Sequence, residues 1–101
     1  MEQEIIPDKN EFYGYIYETI NKENGMFYIG KSKGIFNPNY HGSGIVLNYA
    51  IEKHGENNFY TKLIIYVKTR DEINNKEKMY ISFYREKYGK EKLYNISDGG
   101  D

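Results

Sequence analysis

Two aromatic, apolar runs, Tyr13-Gly14-Tyr15-Ile16-Tyr17 and Phe27-Tyr28-Ile29-Gly30, flank the polar stretch Asn21-Lys22-Glu23-Asn24-Gly25. Asn-Gly tolerates the positive backbone angles that hairpin turns demand, so the pattern predicts an antiparallel hairpin. Strand residues of like parity share a face. Over residues 12 to 20, Phe12, Ile16 and Ile20 are expected on one side and Tyr13, Tyr15, Tyr17 and Thr19 on the other. The second strand is expected at about 26 to 31. Tyr17 then lies opposite Tyr28 or one step from it, and the two hydroxyls share a face as cross-strand neighbours.

The rest of the chain supplies what such a hairpin packs against. Residues 32 to 43 contain Gly34, Pro38 and Gly42 without periodicity and read as an irregular loop. Ser43 is expected to cap a helix over 44 to 54, which stops at His54-Gly55, with His54 satisfying the last helical carbonyls. Phe59 to Val67 is rich in β-branched and aromatic residues and predicts a third strand. A long helix over about 70 to 88 places Ile73, Glu77, Tyr80, Ile81, Tyr84 and Tyr88 on one stripe, ended by Gly89. The segment Lys92-Leu93-Tyr94-Asn95-Ile96-Ser97 reads as extended. Glu77 stands where that stripe calls for an apolar side chain. A carboxylate aimed at a sheet needs a cation, a donor or a metal, whereas one at the stripe's edge pairs with a lysine.

Composition narrows the function classes. A chain of 101 residues with 39% hydrophobic content suits one domain with one core. Residues 1–11 read as an N-terminal arm, 12–98 as the domain and 99–101 as a C-terminal end. Cysteine is absent, which excludes thiolate metal sites and cysteine nucleophiles and fits a cytoplasmic protein. No apolar run is long enough to span a bilayer, so no membrane partner is expected. Fourteen Lys plus Arg against fifteen Asp plus Glu argue against tight nonspecific nucleic-acid binding by the whole surface, though not against a local basic patch. The wealth of Lys, Asn, Ile and Tyr fits an AT-rich genome such as some phages carry.

Taken together, these segments resemble the GIY-YIG endonuclease family, and its homing-endonuclease-like catalytic domains in particular. Tyr15-Ile16-Tyr17, ten intervening residues and Tyr28-Ile29-Gly30 look like the paired motif of the name, with Tyr15 in place of the family's first glycine. Glu52-Lys53-His54-Gly55 followed by Asn58-Phe59, Glu77 before Met79-Tyr80-Ile81, and Tyr94-Asn95-Ile96 agree in order and spacing. The resemblance spans residues 12 to 98 and implies a small α/β sandwich of β-β-α-β-α order, a three-stranded antiparallel sheet flanked by helices.

The resemblance also implies hydrolysis of DNA phosphodiester bonds with one divalent ion, Mg²⁺ or Mn²⁺. Glu77 takes the metal-binding role, since a hard cation often takes one or two carboxylates and completes its shell with water and phosphate. Tyr17 maps to the general base, with Tyr28 orienting the water or serving as reserve base. A free phenol has a pKa of about 10, so a base near neutrality needs neighbouring cations, and Lys31 and Lys33 are expected to lower Tyr17 or to hold the scissile phosphate. His41 is expected either to bond the phosphate or relay a proton, or to be a plain loop residue. Asn95 matches an asparagine that positions an active-site group.

The family's phosphate-contacting arginine has no counterpart in the loop from Gly34 to Gly44, a place that Lys31, Lys33, Tyr40 or His41 would have to fill. A neutral domain of this size is poorly equipped to read a long site, so additional DNA-recognition modules or a partner subunit are expected. The alternative is a noncatalytic module on the same fold that binds nucleic acid or protein.

Overall fold

The computed structural model describes residues 11–100, so all of the expected arm except Glu11 lies outside the described residues. Strands β1 (Gly14–Asn21) and β2 (Phe27–Lys33) form the hairpin, and helix α1 (Ile45–His54) follows the loop. Strand β3 (Phe59–Val67) and helix α2 (Arg70–Tyr88) complete the fold. The sheet is antiparallel in the order β2-β1-β3, so β1 is central, and every one of its residues is buried. This is the expected β-β-α-β-α sandwich.

The turn sets the register more tightly than its sequence indicates. Gly25 donates its N–H to Asn21 O (2.7 Å), Asn21 N–H reaches Met26 O (2.9 Å), and the Asn24 side chain takes Met26 N–H (2.9 Å). With Gly25 at φ 74°, this closure pairs Ile20 with Phe27. Tyr28 therefore lies opposite Thr19, and Tyr17 lies opposite Gly30. The two phenols are diagonal neighbours, ring centroids 6.3 Å apart, and not the directly opposed or one-step pair the loop length suggested.

Alternation assigns the two faces. One carries Tyr15, Tyr17, Thr19, Tyr28 and Gly30, the other Ile16, Glu18, Ile20, Ile29 and Lys31. In β3, Ile64 is an extra residue between Leu63, paired with Tyr17, and Ile65, paired with Ile16. This bulge lets Phe59 and Thr61 share the tyrosine face while Val67 faces the isoleucines. The expected split fails at its start. Because β1 begins at Gly14, Tyr13 packs with the isoleucine core and Phe12 packs at a tilt against Tyr66 of the tyrosine face.

Helix α2 covers the isoleucine face, where Ile16, Ile29, Val67, Ile73, Ile81 and Leu93 form the larger core. Each such side chain contributes about 1.5–3 kcal/mol by leaving water. Thr69 caps the helix by accepting Glu72 N–H (3.0 Å). Helix α1 covers the tyrosine face with Leu47 and Ala50 against Phe59 and Tyr94. Its N-cap is Gly44, without a side-chain cap, so Ser43 does not play the capping part expected of it. His54 bonds Glu23 through Nδ1 (2.8 Å), and the Asn58 amide N–H donates to the His54 carbonyl, which corrects the carbonyl-satisfying role expected of the ring.

The exposed edge of β2 is closed by the segment after α2. Tyr94 N–H donates to Phe27 O (2.7 Å) beside a parallel bridge from Leu93 to Phe27. The Asn95 side chain then supplies both rungs to Ile29, accepting its N–H (2.9 Å) and donating to its carbonyl (2.7 Å). Beyond Ile29 the edge opens into a cavity.

Candidate active site

The cavity, of about 310 Å³, lies where the two faces of the sheet meet across the β2 edge. Lys31 and Glu77 reach it from the α2 side, Tyr28 and Ser43 from the α1 side, and Asn95 and Ser97 from the closing segment. Glu77 is buried, with Oε1 accepting Gly100 N–H (2.9 Å) and standing 3.5 Å from Lys31 Nζ. Lys31 Nζ also donates to Asn74 Oδ1 (2.7 Å), one turn before Glu77 on the same helical face. The carboxylate thus has both a lysine partner, as its reading at the stripe's edge requires, and a place in a cavity.

Tyr28 has its phenol at the start of α1, against Gly42 and Gly44, where the Ser43 hydroxyl and the Gly44 N–H favour its charged form. Burial, followed by the nearby Glu77 charge and Tyr40, outweighs them and holds the phenol above its ordinary range. Ser43 therefore acts on the Tyr28 phenol and does not cap the helix. Glycine makes the close approach possible, because a Cβ at Gly42 or Gly44 would press into the Tyr28 ring.

Tyr17, Lys33 and His41 do not line this cavity. Tyr17 is buried with its ring over Gly30, and the Tyr40 ring meets it edge-on at 5.9 Å. Burial first, then Tyr28, Tyr40 and Tyr15, drives its pKa far above that of a free phenol. The expectation that Lys31 and Lys33 lower it is corrected by parity. Both lysines pair with residues of the isoleucine face, Ile16 and Gly14, on the side of the sheet away from Tyr17. Lys33 Nζ sits 5.5 Å from the centre of the Tyr13 ring. His41 is a strut, its Nδ1 bonded to Thr61 Oγ1 (2.7 Å), its Nε2 3.7 Å from Glu56 and its carbonyl taking the Thr19 hydroxyl (2.7 Å).

Glu77 is the one carboxylate lining the cavity, and among the described residues no group of three or more His, Asp or Glu could hold a metal. The donor set of one carboxylate with nearby hydroxyls fits a hard cation that draws its other ligands from water and phosphate. It does not fit a cation requiring a protein cage.

The sequence has relatives. The chain is similar to two phage proteins. It is 39% identical over 89 residues, 87% of its length, to "Putative endonuclease segE" of Enterobacteria phage T4. It is 29% identical over 96 residues, 94% of its length, to "Putative endonuclease segC" of the same phage. The matched stretches are 42% and 48% of those proteins, so the chain spans less than half the length of these relatives. It matches no family model and no solved structure.

Arg85 and the glycines after it escaped the sequence reading. Arg85 Nη2 donates to the carbonyls of Asn95 (3.2 Å) and Ser97 (3.0 Å), and Nη1 pairs with Asp98. This holds the closing segment so that Gly99 (φ 86°) and Gly100 (φ 85°) turn back onto Glu77. A Cβ at Gly99 would meet Ile81 Cδ1 and Glu77 Oε1, and the positive φ disfavours one besides. The available signal was helical spacing. Glu77, Ile81 and Arg85 recur every four residues, which puts an arginine on the buried stripe.

Proposed function

We propose that this chain is a GIY-YIG-type catalytic domain that hydrolyses DNA phosphodiester bonds with one Mg²⁺ or Mn²⁺ ion. The observation that carries the reading is the buried Glu77 facing Tyr28 and Lys31 across one cavity, in a chain 39% identical to the segE protein. Glu77 would hold the ion, which supplies positive charge against the phosphate and the leaving oxygen. Tyr28, rather than Tyr17, is the phenol positioned to touch a water in the cavity. In this mechanism Tyr28 first releases its own proton to solvent, a state that the positive charge of Lys31 and of an ion at Glu77 would favour against burial. The water oxygen then bonds to phosphorus as the ester oxygen departs in line, the water's proton passes to the Tyr28 oxygen, and the departing oxygen takes a proton from solvent. Ser43 and Gly44 steady the negative charge on that oxygen before the transfer. Lys31 holds a phosphate oxygen as a point charge, and Asn95 keeps the β2 edge in place as a positioning residue.

Tyr17 and His41 then act from behind, Tyr17 by setting the Tyr28 ring and His41 by bracing the loop that delivers Ser43. Target choice is assigned to further DNA-recognition modules or a partner subunit, and the proposed setting is a phage-infected cell. Among the described residues no helix is long and apolar enough to cross a membrane.

Plasmid nicking with and without Mg²⁺ tests the reading. The parent is expected to nick only with the ion, and Glu77→Gln and Tyr28→Phe each to lower the rate by about a thousandfold, roughly 4 kcal/mol of barrier. DNA bound but left intact by a folded parent would transfer the assignment to the noncatalytic module.

A further inference from the structure

A second cavity, of about 330 Å³, adjoins the first and shares Lys31 with it. It is lined by Tyr13, Lys31, Ser32, Lys33, Arg70 and Asn74, with Ile73 at its floor. Three of these carry positive charge and none is a carboxylate. Asp71 and Glu72 belong to the same helical turn as Arg70 but do not line it. Lys31 and Lys33 come from one face of β2, two residues apart, while Arg70 opens α2. Arg70 and Lys33 are exposed, and neither forms an ion pair among the described residues. The chain as a whole has a net charge of −1, so three cations around one cavity are a local departure from the surface average.

We propose that this cavity is a second phosphate subsite, in which Lys33 and Arg70 hold a DNA backbone phosphate neighbouring the one at Glu77. The assignment rests on the nuclease reading for the identity of the polymer. Lys31 stands between the two cavities, so a strand with one phosphate at Glu77 meets the Lys33 and Arg70 charges a short way along its backbone. The guanidinium can give two parallel N–H bonds to one phosphate, the clamp missing from the loop before α1, and the lysine adds a point charge. The Tyr13 ring, 5.5 Å from Lys33 Nζ, attracts the ammonium through its π face at the wall of the cavity. Contacts of this kind fix register on the duplex and carry no sequence information.

The test is binding of a short labelled duplex, followed by fluorescence anisotropy across about 50 to 200 mM salt, in a Glu77→Gln background that leaves the DNA uncut. Lys33→Gln with Arg70→Gln is expected to weaken binding roughly tenfold and to lower the slope of log K against log salt by about 1 to 2. Lys53→Gln with Lys87→Gln removes the same charge from the far ends of the helices and is expected to change both far less. Arg70→Lys and Lys33→Arg should restore most of the slope, which separates lost charge from lost fold. Equal losses in the two double variants, or no change in either, overturns the subsite while parental nicking still stands. A folded parent that cuts nothing but shows the Lys33 and Arg70 effect keeps the subsite and loses the nuclease reading. A parent that neither binds nor cuts DNA overturns both.

Discussion

The two faces of the sheet are packed by different means. On the α2 side aliphatic side chains from three strands and one helix interdigitate, and Ile16, Ile29 and Val67 are fully buried with no polar atom to satisfy. On the α1 side the buried volume is largely phenol, and each hydroxyl has to be placed. Tyr94 accepts from the Asn21 amide (3.0 Å), Tyr15 accepts Asn37 N–H (3.2 Å), and Tyr66 accepts Phe36 N–H (3.0 Å). Gly30, Gly42 and Gly44 make room for the rings. An aliphatic face needs only volume and pattern, whereas a phenolic face needs particular partners at particular places. The candidate site lies where the second kind of packing meets a carboxylate from the first.

The comparison can be broken from either side. Ile29→Ala should cost about 3 to 4 kcal/mol, read as a shift in the urea midpoint, because the residue is fully buried and the regular core collapses poorly around the void. Gly30→Ala should cost about 2 to 3 kcal/mol although it adds only a methyl group, because the new Cβ overlaps the buried Tyr17 phenol. If that substitution proves neutral, the tyrosine face is looser than its hydrogen bonds imply. Asn95→Ala should cost about 1 to 2 kcal/mol and speed amide exchange at Ile29, since both backbone groups of Ile29 lose their partner.

The smallest effect is a pH dependence. Tyr17 and Tyr84 have phenols raised in the folded protein, chiefly by burial, and Tyr84 also by its bond to Glu18. An unfolded phenol ionises near pH 10 while the folded one stays neutral. Their contribution is therefore fully present below about pH 10 and is lost as pH rises from there toward the folded values. Melting temperature should fall through that alkaline window, and less steeply in Tyr17→Phe.

Most elements were legible because they depend on local chemistry. Asn24-Gly25 marks the turn, Gly55 and Gly89 end the helices, and the periodicity from Arg70 to Tyr88 matches the helix. Glu77 was legible as an exception to its stripe. What failed were statements about partners. Parity puts Tyr13 on the tyrosine face although the strand begins only at Gly14, Ser43 has a cap as its commonest local use but does not form one, and Lys31 and Lys33 follow Tyr28-Ile29-Gly30 directly yet belong to the face away from Tyr17.

The amino-acid sequence by itself determined the order of strands and helices, the hairpin, and which side chains could carry chemistry, since propensity, turn geometry and periodicity act over a few neighbouring residues. Only the tertiary structure decided that Tyr28, Lys31, Glu77 and Asn95 line one cavity while Tyr17, Lys33 and His41 lie elsewhere. A two-residue difference in hairpin register keeps every side chain on its face but changes every partner. The meeting of two faces across an open strand edge depends on segments more than sixty residues apart, as in the bonds from Asn95 to Ile29.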